Sequence, residues 1–157
     1  YHFIIDGSDN FDTKFLVNDA ALALGKACSH AGIMRFQGQT MTVVPQKSAC
    51  YRCLFKEPPP PGEILGCQQM GILGAIAGTI GSIQATEVAK LVVGFGEPLV
   101  GKLLMYDALK SQFRVLKARR DPACPVCGDN PTITELIDYE FFCGLTEAPV
   151  GAASNGH

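Results

Sequence analysis

Two Cys-x-x-Cys pairs hold the side chains of this sequence that are best suited to metal chemistry. Cys50 and Cys53 lie in SACYRCLF, and Cys124 and Cys127 lie in DPACPVCGD. Because two intervening residues let both sulfurs of a pair reach one ion at about 2.3 Å, each pair is half of a tetrahedral zinc site. Together they predict a single structural zinc site with four cysteine ligands, which joins segments about 70 residues apart. The alternative, a thioredoxin-like redox dithiol, needs one pair only and usually lies between a strand and a helix.

The remaining cysteines lie in different settings. Cys67 lies 14 residues after Cys53, at the end of the exposed, mobile loop that the proline-rich run 57–62 predicts. Cys28 and Cys143 have no pairing spacing, so we interpret them as buried or incidental thiols. The chain has seven cysteines, an odd number, and four of them belong to the metal-type pairs. This usage favours a reducing cytoplasm over an oxidising, secreted setting.

Length and charge limit the classes of protein to consider. The 157 residues suit one domain with a substantial core. The net charge of −2 and the pI near 5.9 argue against a protein that binds nucleic acid or an anionic membrane surface. Lys117, Arg119 and Arg120 form a local basic run, which we interpret as a solvated strand end. No signal peptide is visible, and the chain begins without Met inside an apolar run, so we expect a fragment.

A predicted strand, turn and helix open the chain. His2–Ile5 predicts a short buried strand, Asp6–Asn10 a turn, and Phe11–Leu24 a helix. The predicted inner face of the helix holds Phe15, Leu16, Ala20, Ala23 and Leu24. These elements in this order are the unit of a mostly parallel α/β sheet, whose ligands bind beyond the carboxyl ends of its strands. The turn lies at such an end.

The later segments predict further strands and a long helix. Ala27–His30 and Gln37–Val44 are strand candidates, and Lys102–Tyr106 with Gln112–Lys117 predicts a hairpin. Thr132–Phe142 predicts a short terminal helix or an extended arm. We expect a domain over residues 1–144 and a flexible tail or linker over residues 145–157.

The segment Met70–Val93 is long and apolar. It carries no charge from Met70 through Ala85, but this uncharged run is shorter than the roughly 20 apolar residues that a membrane span needs. Its small residues recur at helical spacing and permit close backbone approach; they include Gly71, Gly74, Gly78, Gly81 and Ser82. We therefore predict a buried, tightly packed helix.

In order and spacing, these segments resemble the sulfur-carrier-activating adenylyltransferases, the MoeB/ThiF/HesA group, which are relatives of ubiquitin-activating enzymes. The resemblance runs from about Tyr1 to Gly144. The residues that carry it are IIDGSDN at 4–10, RFQGQ at 35–39, CYRCLF at 50–55, GILGAIAGTIGSIQATEVAKLVVGFGEPLVGKLLMYDAL at 71–109 and CPVCG at 124–128. The ending NPTITELIDYEFFCG at 130–144 resembles the branch that serves molybdopterin synthase or tRNA thiolation. Members of that branch often continue into a rhodanese domain.

The resemblance implies a fold, a reaction and partners. The fold would be the carboxyl-terminal portion of a Rossmann-like, ubiquitin-activating-type α/β fold with a four-cysteine zinc site. The reaction would use ATP and Mg²⁺ to adenylate the C-terminal glycine of a ubiquitin-like sulfur carrier of the MoaD or ThiS type. A sulfur nucleophile would then convert the acyl-adenylate to a thiocarboxylate, in molybdenum-cofactor, thiamine or tRNA-thiolation pathways. Relatives are typically homodimers, and the glycine-lined helix is a reasonable contact surface.

Individual residues take their roles from the same resemblance. Asp9 would contact ATP and its magnesium, with Asn10 beside it at the nucleotide; a turn or helix N-cap is the alternative for both. Asp6 is a weaker candidate for the same metal or for a supporting hydrogen bond. Cys67 would form a thioester or acyl-disulfide with the carrier, or else be an inert loop thiol. Arg35 begins a strand that we expect to touch the carrier's tail. It is a weaker candidate for pairing with a carboxylate, and a plain surface role is the alternative. We assign His30 no catalytic role.

The family's glycine-rich phosphate loop has no counterpart in these 157 residues. Gly71-Ile72-Leu73-Gly74 lies in the predicted apolar helix and cannot be that loop. We therefore expect the full-length parent to be an enzyme and this chain alone to be inactive. The alternative is a catalytically silent, zinc-stapled module that only docks the carrier or dimerises.

Overall fold

The computed structural model describes residues 1–60 and 71–145 as a sheet with helices on both faces. The strands are β1 (Phe3–Asp6), β2 (Ala27–Met34), β3 (Gln37–Val43), β4 (Lys102–Asp107) and β5 (Gln112–Lys117). The helices are α1 (Phe11–Ala23), α2 (Tyr51–Leu54), α3 (Gly74–Val93) and α4 (Tyr139–Phe142). The expected tail falls almost wholly outside the described residues.

The sheet has the order β1-β2-β3-β4-β5. Only β1 and β2 are parallel, and the other three neighbouring pairs are antiparallel. The prediction of a mostly parallel sheet is therefore wrong for the described residues. The reason lies in the connections: α1 gives β1 and β2 a crossover, whereas short turns join β2 to β3 and β4 to β5, and such turns join antiparallel strands. The predicted hairpin of β4 and β5 is confirmed.

Helix α1 begins at the predicted Phe11 and ends one residue before the predicted Leu24, but its inner face differs from the predicted one. Phe15 is fully buried, whereas Leu16 is 37% and Leu24 is 68% exposed. The buried positions are instead Lys14, Phe15, Asn18, Asp19 and Ala21. Polar side chains occupy this face because each finds a buried partner, which an apolar-periodicity argument does not detect.

Helix α3 covers β2 and β3 on the face opposite α1. Ile76 and Ile80 are each 1% exposed and pack over Gly38, where a Cβ would lie 2.6 Å from a side-chain carbon of Ile80. The helix glycines do not pack tightly as predicted, because a Cβ at Gly74, Gly78 or Gly81 would meet nothing within 4 Å. The glycine that permits close approach is therefore on the sheet and not on the helix.

The strand and helix predictions at the two ends of the chain need smaller corrections. β1 is only partly buried, with Ile5 51% exposed. In the segment 132–142, only α4 is helical. Among the helices that the structure describes, none has the length and hydropathy that a membrane crossing needs.

Candidate functional site

The sulfurs of the two Cys-x-x-Cys pairs converge on one point, as the sequence predicts. Cys50 Sγ lies 3.8 Å from Cys53 Sγ and 3.6 Å from Cys124 Sγ. Cys53 Sγ lies 3.3 Å from Cys127 Sγ. All four Sγ atoms lie within 4.8 Å of one another, so together they can hold a metal ion. The cluster joins the start of α2 to the loop that follows β5.

The pKa shifts of the cysteines in this cluster favour binding of a cation at its centre. The hydrogen bond with Cys53, burial and the charges of neighbouring thiols raise the pKa of Cys50. The hydrogen bond from Cys50 holds the pKa of Cys53 at about 5, and the Asp121 N–H also donates to its sulfur. Burial and the hydrogen bond with Cys53 raise the pKa of Cys127 to about 12. One thiolate therefore opposes the ionisation of its neighbours, and a bound cation removes that opposition.

A glycine allows the second cysteine pair to close. A Cβ at Gly128 would lie 2.3 Å from the carbonyl oxygen of Cys124 and 2.6 Å from that of Pro122. The Gly128 N–H instead donates a 2.9 Å hydrogen bond to the Cys124 carbonyl. Arg120 Nε donates to the Cys127 carbonyl at 2.8 Å, which holds the other side of the turn. The backbone thus fixes the direction of both sulfurs.

A buried ion pair connects the first cysteine pair to α1. Arg52 is 1% exposed, and its Nε and Nη2 donate to the Asp19 carboxylate at 2.7–3.1 Å. The Tyr139 hydroxyl donates to the same carboxylate at 2.9 Å. The guanidinium carbon lies 4.7 Å from the ring centre of Phe15 and 4.6 Å from that of Phe142. Helices α1, α2 and α4 therefore meet at one charged group, which the sequence reasoning missed. Its only signal was an arginine between two predicted metal ligands.

A cavity of about 860 Å³ opens at the carboxyl end of β1. The β1–α1 turn contributes Asp9 and Asn10 to its wall, and Pro58–Pro60 contribute from the loop after α2. Asn10 Oδ1 accepts a 2.9 Å hydrogen bond from the Thr13 N–H and so caps α1. Asp9 is exposed, and its carboxylate has no hydrogen-bond partner within residues 1–60 and 71–145. This carboxylate is therefore available to a ligand in the cavity.

A buried polar network supports the turn that carries Asp9. Asp6 Oδ2 accepts hydrogen bonds from Lys14 Nζ at 3.0 Å and His30 Nδ1 at 2.9 Å, and Asp6 Oδ1 accepts from the Ser8 N–H at 2.9 Å. Burial alone would raise the pKa of Asp6, but the bonds from His30 and Ser8 and the charge of Lys14 hold it well below its usual range. Asp6 is thus a buried, paired carboxylate that makes the supporting hydrogen bonds predicted as one of its two roles.

The structure describes two of the three cysteines outside the cluster. Cys28 is fully buried, and burial together with the charge of Asp6 raises its pKa to about 12. Burial also raises the pKa of Cys143. Both are buried thiols, as interpreted from the sequence. Cys67 lies outside the described residues.

Comparison with known proteins gives the class of this chain. The sequence model of the ThiF family matches residues 1–126. The chain therefore belongs to the ThiF family, as the sequence resemblance indicated.

Individual relatives agree with this membership. The chain is 49% identical over 150 residues to the sulfur carrier protein adenylyltransferase of Thermus thermophilus, covering 92% of this chain and 55% of that protein. It is 46% identical to the adenylyltransferase and sulfurtransferase MOCS3 of Drosophila grimshawi, covering 92% of this chain and 33% of that protein. It is 42% identical to the probable adenylyltransferase/sulfurtransferase MoeZ of Mycobacterium tuberculosis, and the alignment covers 99% of this chain and 39% of that protein. The chain thus spans about half of the first relative and about a third of the others.

Solved structures show the same fold. The crystal structure of E. coli MccB with MccA-N7isoASN aligns with a TM-score of 0.68 at 18% identity, over 81% of this chain and 40% of that one. The structure of E. coli MccB with ATP aligns with a TM-score of 0.67 at the same identity, over 81% of this chain and 39% of that one. At this identity, the likeness concerns the mixed α/β fold alone.

Proposed function

We propose that this chain is part of an ATP-dependent adenylyltransferase that activates the C-terminal glycine of a ubiquitin-like sulfur carrier. The relatives named as adenylyltransferases support this reaction class. The observation that carries the proposal is the Asp9 carboxylate at the cavity, which has no partner among the described residues and lies on a turn that the buried Asp6 network supports. A carboxylate is a poor electrophile, and its adenylation supplies the leaving group that attack by sulfur requires.

Each site residue would have a separate role in this reaction. Asp9 would contact the nucleotide and its Mg²⁺, since carboxylate oxygens are the ligands that Mg²⁺ prefers, and this ion offsets the charge of the triphosphate. Asn10 would contact the nucleotide through its amide while its oxygen caps α1. Cys67 would receive the activated carrier as a thioester or acyl-disulfide. Attack of the Cys67 thiolate on the acyl-adenylate would form the thioester and release AMP. The acyl-disulfide would form, with the same release of AMP, only if Cys67 already carried a persulfide sulfur from a sulfur donor.

We also propose that the cysteine cluster holds a structural Zn²⁺. The donor set supports this choice, because four cysteine sulfurs suit zinc in a closed tetrahedral site. Cys50, Cys53, Cys124 and Cys127 would be its ligands. With four protein ligands, the ion would have no open position for a substrate and would act on the fold alone.

A chimera tests the proposed reaction. The chain by itself should give no ATP–pyrophosphate exchange with Mg²⁺ and a carrier, because it has no glycine-rich phosphate loop. Joining it to the upstream part of the Thermus thermophilus relative should restore exchange. Asp9→Asn should abolish that exchange, whereas Asp12→Asn, an equal change at the same cavity, should leave most of it. A chimera that folds but stays inactive would refute the proposed function.

A docking module without catalysis is the second candidate. The absence of the phosphate loop from these residues favours it for the isolated chain. It predicts that the isolated chain binds a carrier without ATP, and that binding needs the metal-loaded cysteine cluster. Isothermal titration of the chain with a carrier, before and after metal chelation, measures both the affinity without ATP and its dependence on the metal.

A further inference from the structure

Basic residues concentrate on one segment of an otherwise acidic chain. Residues 108–120 hold five of the thirteen basic residues and none of the fifteen acidic ones. The segment includes β5, an edge strand of the described sheet in which every residue is exposed. Phe113, Val115 and Leu116 are each about half exposed there, at 49–54%. Aromatic and arginine side chains on an exposed surface are typical of protein interfaces.

Two cations of this segment line the cavity, together with Arg35 from the turn between β2 and β3. Arg35, Lys110 and Arg114, here called the cationic wall, all line it. The turns that carry Arg35 and Lys110 are joined by a 2.9 Å hydrogen bond from the Ala108 N–H to the Phe36 carbonyl. Arg114 follows on the same sheet face through its pairing with Met105. The backbone therefore joins the two hairpins that carry the three cations.

The cationic wall is short of internal partners. Lys110 lies 4.0 Å from Asp107, at the limit of an ion pair. Arg35 and Arg114 form no ion pair within the described parts of the chain. Asp9 and Asp12 line the same cavity from the β1–α1 side. Lys14 and Asp107 also line the cavity, but Lys14 pairs with Asp6 and Asp107 lies near Lys110. Arg35 and Arg114 are therefore the lining cations that are available to an external anion.

We propose that the cationic wall docks acidic side chains that flank the C-terminal segment of the carrier protein. This inference rests on the proposed function, because it names the surface chemistry of the same partner. A carrier held by its acidic flank at the wall would point its terminus into the cavity, toward Asp9. Complementary charge fixes orientation and speeds encounter. Leu116, which is 49% exposed and lies on the same face of β5 as Arg114, supplies apolar contact area.

The strand offers a matched pair of charge reversals. Arg114 and Lys117 lie on opposite faces of β5, because side chains alternate along a strand. The probe is a ubiquitin-fold sulfur carrier ending in Gly-Gly, with acidic residues beside its tail, titrated calorimetrically without ATP into the full chain. R114E should weaken binding by about tenfold or more, since it places like charges together. K117E changes the net charge equally and should weaken binding less than about threefold.

Salt and partner variants complete the test. In 0.5 M salt, the difference between R114E and K117E should shrink, because screening shortens the reach of exposed charges. A carrier whose acidic flank is changed to Lys should bind R114E better than it binds the wild-type chain. Equal effects of R114E and K117E, or no effect of either, would overturn the proposal. Tighter, R114E-sensitive binding of poly(U) would also overturn it, by assigning the wall to nucleic acid.

The two proposals fail separately. If the wild-type chimera catalyses pyrophosphate exchange while R114E leaves carrier binding unchanged, the docking wall is wrong and the function stands. If R114E weakens carrier binding as expected but no chimera adenylates the carrier, the proposed function is wrong and the wall stands.

Discussion

Replacing Arg52 by Met tests the buried link between the cysteine cluster and the rest of the fold. Arg52 is the residue whose removal would leave the buried Asp19 carboxylate without its cation. Breaking one side of a buried ion pair costs roughly 3–5 kcal/mol. Met keeps aliphatic volume between the Phe15 and Phe142 rings, so the loss of packing is the smaller part. We therefore expect R52M to lower the free energy of unfolding by about 3–5 kcal/mol.

Urea unfolding in reducing buffer measures this loss. Far-UV circular dichroism and tyrosine fluorescence can both follow the transition, because the chain has four Tyr and no Trp. R119M, at an exposed position with no ion pair among the described residues, is the matched control and should leave the midpoint unchanged. The double variant D19N/R52M should lose less stability than the sum of the single variants, because it removes both buried charges.

Two results would refute this reasoning. A midpoint shift for R52M no larger than that for R119M would show that the ion pair contributes little. Strict additivity of D19N and R52M would show that the two side chains are not energetically coupled, despite their 2.7 Å contact.

Three further predictions concern the cysteine cluster and the Asp6 network. Native mass spectrometry should find one zinc ion per chain in the wild type and in C143S but none in C124S, and retention of zinc by C124S would contradict the proposed ligand set. G128A should lower the free energy of unfolding by about 1–3 kcal/mol, because the added Cβ overlaps the Cys124 carbonyl, and an unchanged urea midpoint would argue against that clash. The folded state holds the pKa of Asp6 below its ordinary value of 3.8, so the stabilisation is present above about pH 4 and lost as the pH falls further. The difference in urea midpoint between wild type and D6N should thus narrow from pH 6 to pH 3, and a constant difference would exclude this linkage.

Much of the local structure was predictable from the sequence. Turn residues and the period of apolar residues gave α1 and the β4–β5 hairpin close to their observed bounds. Paired spacing gave the convergence of the four cysteines, because two residues between cysteines is a local geometric constraint. Family membership followed from the order of the same segments.

Strand direction and the buried polar contacts were harder to predict from the sequence. The parallel prediction treated each strand as half of a strand–helix unit, but two of the four neighbouring strand pairs are hairpins, and β4 pairs antiparallel with β3 after a long connection. The leucines assigned to the inner face of α1 are exposed, because Lys14 and Asp19 find buried partners there. Such a partner lies far away in sequence, so no local pattern identifies it.

The sequence by itself determined the cysteine spacing, the principal helices and strands, and the excess of basic residues over 108–120, because each depends on neighbouring residues. Only the tertiary structure decided that Arg52 reaches Asp19, that Asp6 is enclosed by Lys14 and His30, and that Arg35 and Arg114 share a cavity wall. These contacts join distant segments, and their energies depend on burial and distance, which exist only once the chain has folded.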